Sequence, residues 1–302
     1  MAVLAVVSAV GMAVDDRVLV GSPIWFKPFK FSVSFAAYSL SLAWMLSLLP
    51  RARRTGWWAG TVVAVASAIE MVAITGQVVR GTRSHFNNTT PFDETVYQVM
   101  ANTVVVLWTA TLVIAVLMFR SALPDRASSW AVRCGSLLAL AGAALGFLMT
   151  LPTAEQQRTA STIVGAHSVG VPDGGPSMPL TGWSTTGGDL RVPHFFGMHA
   201  LQLLPLFLLL TVALAPRVPA LRDAGTRLRL VLVASGGYAA LLALLTWQAL
   251  RGQSLVHPDG TTVAALGAIA LVTLLATALV LRRSPARRAD ADTAVREPES
   301  VP

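Results

Sequence analysis

Charge is scarce in this 302-residue chain. Asp, Glu, Lys and Arg together make up 13% of it, about half of the roughly 25% usual in soluble domains. So few charges cannot clothe a water-soluble globule of this length. Lysine is rarer still, with two residues against 21 arginines. The single cysteine, Cys134, excludes an intrachain disulfide and any Cys-rich zinc or iron–sulfur site. The motifs of several large enzyme classes are also missing. There is no P-loop, no G-x-G-x-x-G, no G-x-S-x-G, no H-E-x-x-H, no C-x-x-C-H haem attachment and no set of desaturase-type histidine boxes.

What fills the space is apolar sequence, 54% of all residues. A run of about 20 apolar residues is what a helix needs to cross about 30 Å of hydrocarbon. Seven stretches qualify, at roughly 31–50, 57–79, 95–119, 129–151, 195–215, 229–250 and 261–281. Residues 1–14 are apolar but short, and Asp15 and Asp16 end them. They read as a first span. The other readings are a cleaved signal core, which would lack its basic n-region, and a start site placed too late. The expectation is an all-α transmembrane bundle of about eight spans over residues 1–282, or seven without the first. An extracytoplasmic loop is expected at about 153–194, and a disordered charged tail at 283–302.

The formal charge of +8 is distributed as topology and not as a nucleic-acid-binding patch. Arg51, Arg53, Arg54, Arg120, Arg126, Arg133, Arg217, Arg222, Arg227, Arg229 and the arginines from Arg282 onward fall in one set of loops. They are fifteen of the 23 basic residues. The positive-inside bias makes that set cytoplasmic and, with eight spans, puts both termini there. The expected location is a bacterial cytoplasmic membrane, with membrane lipids as neighbours.

All five histidines fall on the opposite, outer side. The densest segment there runs from Gly182 to Gln202 and contains Asp189, Arg191, His194 and His199. Asp189 can cap a helix and Pro193 suits its first turn. His199 then sits about 7 Å deeper than His194, at 1.5 Å rise per residue. A second segment, Arg80–Asp93, brings Arg83, His85 and Asp93, with Thr90 or Asp93 as a helix cap. Both lysines, Lys27 and Lys30, lead into the span at 31–50. They are either snorkelling anchors or contacts for an anion. Glu70 lies near the middle of a span and must be protonated, paired or beside a wet cavity. Ser67, Glu70 and Gln77 form one polar stripe. Gln98 and Asn102 form another, of the kind that joins helices.

The strings Gly182–Gln202, Ile24–Ser32 and Arg83–Asp93 resemble segments of a group of bacterial multi-pass membrane proteins that has no established activity. The resemblance covers most of the membrane region and implies no catalytic assignment.

Three functional readings follow. The first is a membrane redox protein holding haem b or a divalent metal on His85 and His199, with Arg83, Arg191, Lys27 and Lys30 meeting an anionic group such as a propionate. The second is a hydrolase or transferase acting on a lipid or lipid-linked substrate. It would use a metal held by the histidines, or acid–base chemistry by the histidines, His194 among them, with Asp189 or Asp93, and with Glu70 as a further catalytic candidate. The third is a carrier coupled to protons through Glu70. The first two require Glu70, His85, Asp189, Arg191 and His199 to converge, around a small amphiphilic or anionic ligand.

Overall fold

A computed structural model describes residues 1–121, 123 and 125–284. Most of the expected charged tail, from residue 285 on, lies outside the described residues.

The chain is all-helical apart from two-residue strands in its loops. Helix α1 spans Ala2–Val14, α2 Phe26–Ser47, α3 Arg53–Val79 and α4 Pro91–Arg120. Helix α5 spans Arg126–Leu145 and runs on as a 3-10 turn, Gly146–Thr150. A short α6, Ala154–Thr159, opens the long loop. Helices α7, Arg191–Met198, and α8, Ala200–Leu214, follow it. The last two are α9, Ala224–Leu250, and α10, Gly260–Arg282. Six helices are long and apolar enough to cross a membrane, or seven if the bent pair α7–α8 is one span.

The expected span at residues 1–14 is an apolar helix of 13 residues, about 20 Å long, and it packs along α2. The expected straight span at 195–215 is bent by 44° at His199. The bend falls six residues before Pro205, whose ring cannot tolerate the Leu201 carbonyl in regular helical geometry. Helix α2 starts five residues earlier than its apolar run, because Lys27, Pro28 and Lys30 belong to its first turns. Proline costs no hydrogen bond there. Helix α4 begins as its sequence predicts: the Thr90 hydroxyl accepts from the Asp93 N–H at 3.1 Å.

Helix α5 is the hub, packed against α4, α7, α8 and α9. Its contact with α7 is backbone on backbone. A Cβ on Gly142 would lie 2.5 Å from Gly197 Cα. The largest core cluster joins Leu42 and Met45 of α2, Val63 of α3, Ile114 and Met118 of α4, Val132 of α5 and Leu201 of α8. Helix α10 packs on α9 and turns an apolar surface outward, as a lipid-facing helix does.

The loop between α6 and α7 folds back over the α3–α4 end of the bundle. Strand β3, Ser168–Val169, pairs antiparallel with β4, Gly188–Asp189. Asn88 N–H donates to the Thr162 carbonyl at 2.8 Å, and Val164 N–H to the Phe86 carbonyl at 2.9 Å. These bonds stitch the long loop to the Arg80–Thr90 loop. The expected loop therefore has a fixed course, without becoming a separate module.

Candidate functional site

The stitch between the two loops is centred on Phe86. Its backbone is left-handed, with φ of 63°, a conformation that costs energy for a bulky residue. Its ring is buried and meets three others. Phe86 lies edge-on to Tyr97 at 5.8 Å, to His85 at 6.0 Å and to His167 at 5.0 Å between centroids. The buried ring thus touches both imidazoles.

His167 is bound to Asp173. The Asp173 carboxylate lies 2.9 Å from His167 Nδ1. It also accepts the backbone N–H of His167 at 3.0 Å and of Ser168 at 2.8 Å. Burial alone would raise the Asp173 pKa. The imidazole and backbone N–H donors outweigh it and hold the carboxyl well below its ordinary range. Burial in turn pushes the His167 pKa down, with Asp173 opposing. A neutral imidazole donating from Nδ1 to a carboxylate leaves a basic lone pair on Nε2. Nε2 has no hydrogen-bond partner among the described residues. Asp173 was not among the residues singled out from sequence, and His167 was noted only as one of the outer histidines. The available signal was a histidine six residues ahead of an aspartate in a Val-Pro-Asp-Gly-Gly turn.

The cations stand beside this dyad. Lys27 Nζ is 3.0 Å from His85 Nδ1; an ammonium has no lone pair, so with Lys27 charged that nitrogen accepts and the His85 proton is on Nε2. Burial, then the Lys27 charge, then His167 keep the His85 pKa well below the usual histidine value. Arg191, Lys30, Glu70 and Arg83 are all within Coulombic reach of Lys27. Lys30 donates to the Thr181 carbonyl at 2.8 Å and lies over the Phe26 ring. Arg191 pairs with the buried Asp189 at 2.6 Å and donates to the Gly182 carbonyl at 2.6 Å. Arg83 forms no side-chain hydrogen bond or ion pair among the described residues. A small cavity of about 30 Å³ reaches in from the surface between His167, Asp173, Ser177, Ser184 and Arg191.

The structure thus gathers Lys27, Lys30, His85, Asp189 and Arg191 beneath the long loop, with Arg83 and Glu70 in range of Lys27. Glu70 is buried in α3, and its Oε1 has no partner. The Ser67 hydroxyl on the same helix is equally unpartnered. The expected stripe of Ser67, Glu70 and Gln77 divides, because Gln77 donates to Asp93 at 2.9 Å. Asp93 also takes Arg80 at 2.5 Å and the Thr90 hydroxyl at 2.7 Å. Those four residues tie α3 to α4.

His194 and His199 do not join the dyad by hydrogen bonding. His194 Nδ1 bonds the Gly142 carbonyl at 2.8 Å, and its ring fills the space beside Gly146. It fastens α7 to α5. His199 caps α7 at the bend, and its ring has no hydrogen-bond partner among the described residues. The expected haem or metal centre on His85 and His199 finds no support. Among the described residues, no three His, Cys, Asp or Glu side chains come together as a metal site. For His85 the physical reason is local: the Lys27 ammonium 3.0 Å from its ring repels a second cation.

Comparison with protein-family models, with curated proteins and with solved structures finds no match to this chain.

Proposed function

We propose that the protein binds the anionic headgroup of a lipid or lipid-linked molecule beneath its long loop and acts on it by acid–base chemistry, as a hydrolase or transferase. The observation that carries this reading is the pairing of Lys27, Lys30, Arg83 and Arg191 with the His167–Asp173 dyad. The four cations still outnumber the three nearby carboxyl groups, Asp173, Asp189 and Glu70, so an anion improves the balance of charge. The neutral Nε2 of His167 is placed to take a proton from water or an acceptor hydroxyl as its oxygen attacks an ester or phosphoester. The same imidazolium returns the proton to the leaving oxygen. Asp173 fixes the tautomer.

Orientation belongs to the same proposal. The Arg-rich ends of α3, α5, α9 and α10 lie on the cytoplasmic face by the positive-inside bias. The dyad and its loop then open to the outer leaflet of a cell membrane of bacterial type. The start of α2 lies outside with eight spans or with seven, and only the side of the N-terminus differs between them.

The test is native mass spectrometry of the protein in nanodiscs, followed by turnover. Anionic lipids should be retained over zwitterionic ones, and retention should fall at least tenfold in Lys27→Met/Arg191→Met. His167→Asn should keep the lipid and abolish its conversion. Equal retention of both lipid classes overturns the reading.

A second reading rests on the unpartnered Glu70 Oε1. A buried carboxyl in range of Lys27 could carry a proton across a coupled cycle. Proton flux in vesicles that survives Glu70→Gln unchanged removes it.

A further inference from the structure

Two outward surfaces of the bundle differ in kind. That of α10 is apolar throughout its core window and matches lipid tails. That of α4 is not. Glu94, Thr95, Gln98 and Asn102 are all exposed on one face of this helix. Together with Val99 and Thr103 they line an open groove of about 490 Å³. At 1.5 Å per residue, Gln98 and Asn102 lie about 10 Å and about 16 Å below the Pro91 end. Helix α4 is 30 residues long, so both amides fall within its membrane-crossing part.

Primary amides facing hydrocarbon are costly unless bonded. Asn102 Nδ2 bonds back to the Gln98 carbonyl at 2.8 Å, which leaves Asn102 Oδ1 and the whole Gln98 side-chain amide open. Among the described residues, no other helix covers this face.

We propose that the groove on α4 is the contact between two copies of this chain, related by a two-fold axis along the membrane normal. Two copies inserted the same way place Gln98 against Gln98 and Asn102 against Asn102 at equal depth. An amide is both donor and acceptor, so each such pair is self-complementary. Glu94, three residues into the helix, stays at the water-exposed end, where the like charges are hydrated and screened. The exposed Thr95 and the valine at 99 are small enough to let the helices approach. The dimer places the two dyad sites on one face of the membrane, and it holds whether or not those sites are catalytic.

The test is cysteine cross-linking of the full chain in membranes, in a Cys134→Ser background. Gln98→Cys and Asn102→Cys should each oxidise to a species of twice the monomer mass, while Leu274→Cys on the exposed face of α10 should stay monomeric. No doubled species at 98 and 102, equal doubling at 274, or an adduct of another mass overturns the proposal. In vesicles, Gln98→Leu/Asn102→Leu should weaken association about tenfold, read by energy transfer on lipid dilution. Unchanged association in that variant also overturns it.

Discussion

His167 Nδ1 lies 2.9 Å from the Asp173 carboxylate, and the same carboxylate closes the turn between them by accepting the backbone N–H groups of His167 and Ser168. One side chain therefore sets both the tautomer of the imidazole and the course of the loop that carries it. The imidazole's protonation and the local fold are coupled at Asp173.

Asp173→Asn should separate the two. The amide oxygen can still accept from the backbone, so the turn should largely persist. The imidazole loses a carboxylate that raises its pKa, so the His167 midpoint should fall below its wild-type value. Histidine Cε1–H titration by NMR in nanodiscs reads this directly. Asp173→Ala, which also strips the backbone acceptors, should cost about 1–3 kcal/mol more, as expected for unmade bonds to a charged group. A midpoint that rises in Asp173→Asn contradicts the assigned pairing.

Acidification should destabilise the fold before it titrates Asp173. Burial depresses the pKa of both His85 and His167. Between those depressed values and the unfolded value of about 6.5, the unfolded chain binds more protons than the folded one. The stability this contributes is complete above about pH 6.5 and is lost as pH falls toward the folded values. The melting temperature should therefore drop from pH 7 to pH 5. His85→Asn/His167→Asn should flatten that slope even if its melting point at pH 7 is lower. For Asp173 the sign is the same but the window is lower. Its stabilisation is present above the ordinary carboxylate value and fades as pH falls through the depressed one.

Much of the bundle is legible in the sequence because hydrocarbon imposes one rule, about 20 apolar residues per span. Helices α3, α4, α9 and α10 lie where apolar runs and caps put them. The bend at His199 is not legible, because hydropathy reports composition along the run and is blind to its direction. The convergence of Lys27 with His85, and of Asp189 with Arg191, was legible as side chains gathered on one face. The roles within it were not. His194 looked as available as His167, and only the packing of α7 on α5 shows that His194 is spent on the Gly142 carbonyl. The dyad itself depends on a loop course fixed by backbone bonds to Asn88 and Phe86, which leave no periodic trace.

Gly188 should be the least tolerant position in the long loop. It lies in β4 against the C-terminal end of α9, where an added Cβ would run into the Ala249 carbonyl, with Gly252 Cα at 3.0 Å. Both neighbours are backbone and cannot turn aside. Gly188→Ala should therefore lift β4 off α9 and loosen its pairing with β3. Hydrogen exchange of residues 163–190 should rise about tenfold or more, while α3 and α4 stay protected. Gly175→Ala, whose added Cβ would meet only the Pro172 carbonyl at 3.9 Å, should leave exchange near wild type. Equal exchange in both variants would show that β4 is not clamped where the structure puts it.

Lys27→Met tests whether the ammonium acts on the imidazole beside it. Methionine keeps much of the stem volume and removes the charge and the hydrogen bond to His85 Nδ1. Burial is the leading cause of the low His85 pKa and persists in the variant. The Lys27 charge, second in size, is gone, so the His85 midpoint should move up toward the ordinary histidine value. Its proton should no longer be confined to Nε2, since Nδ1 loses its strongest donor and keeps only the Ser84 hydroxyl at 3.0 Å. Nitrogen-15 shifts of the ring distinguish the two tautomers. The same substitution should weaken anionic lipid retention, while Lys30→Met, which leaves the Lys27–His85 contact intact, should weaken retention without moving the His85 midpoint. If both variants shift His85 equally, the effect is general field and not the contact at 3.0 Å.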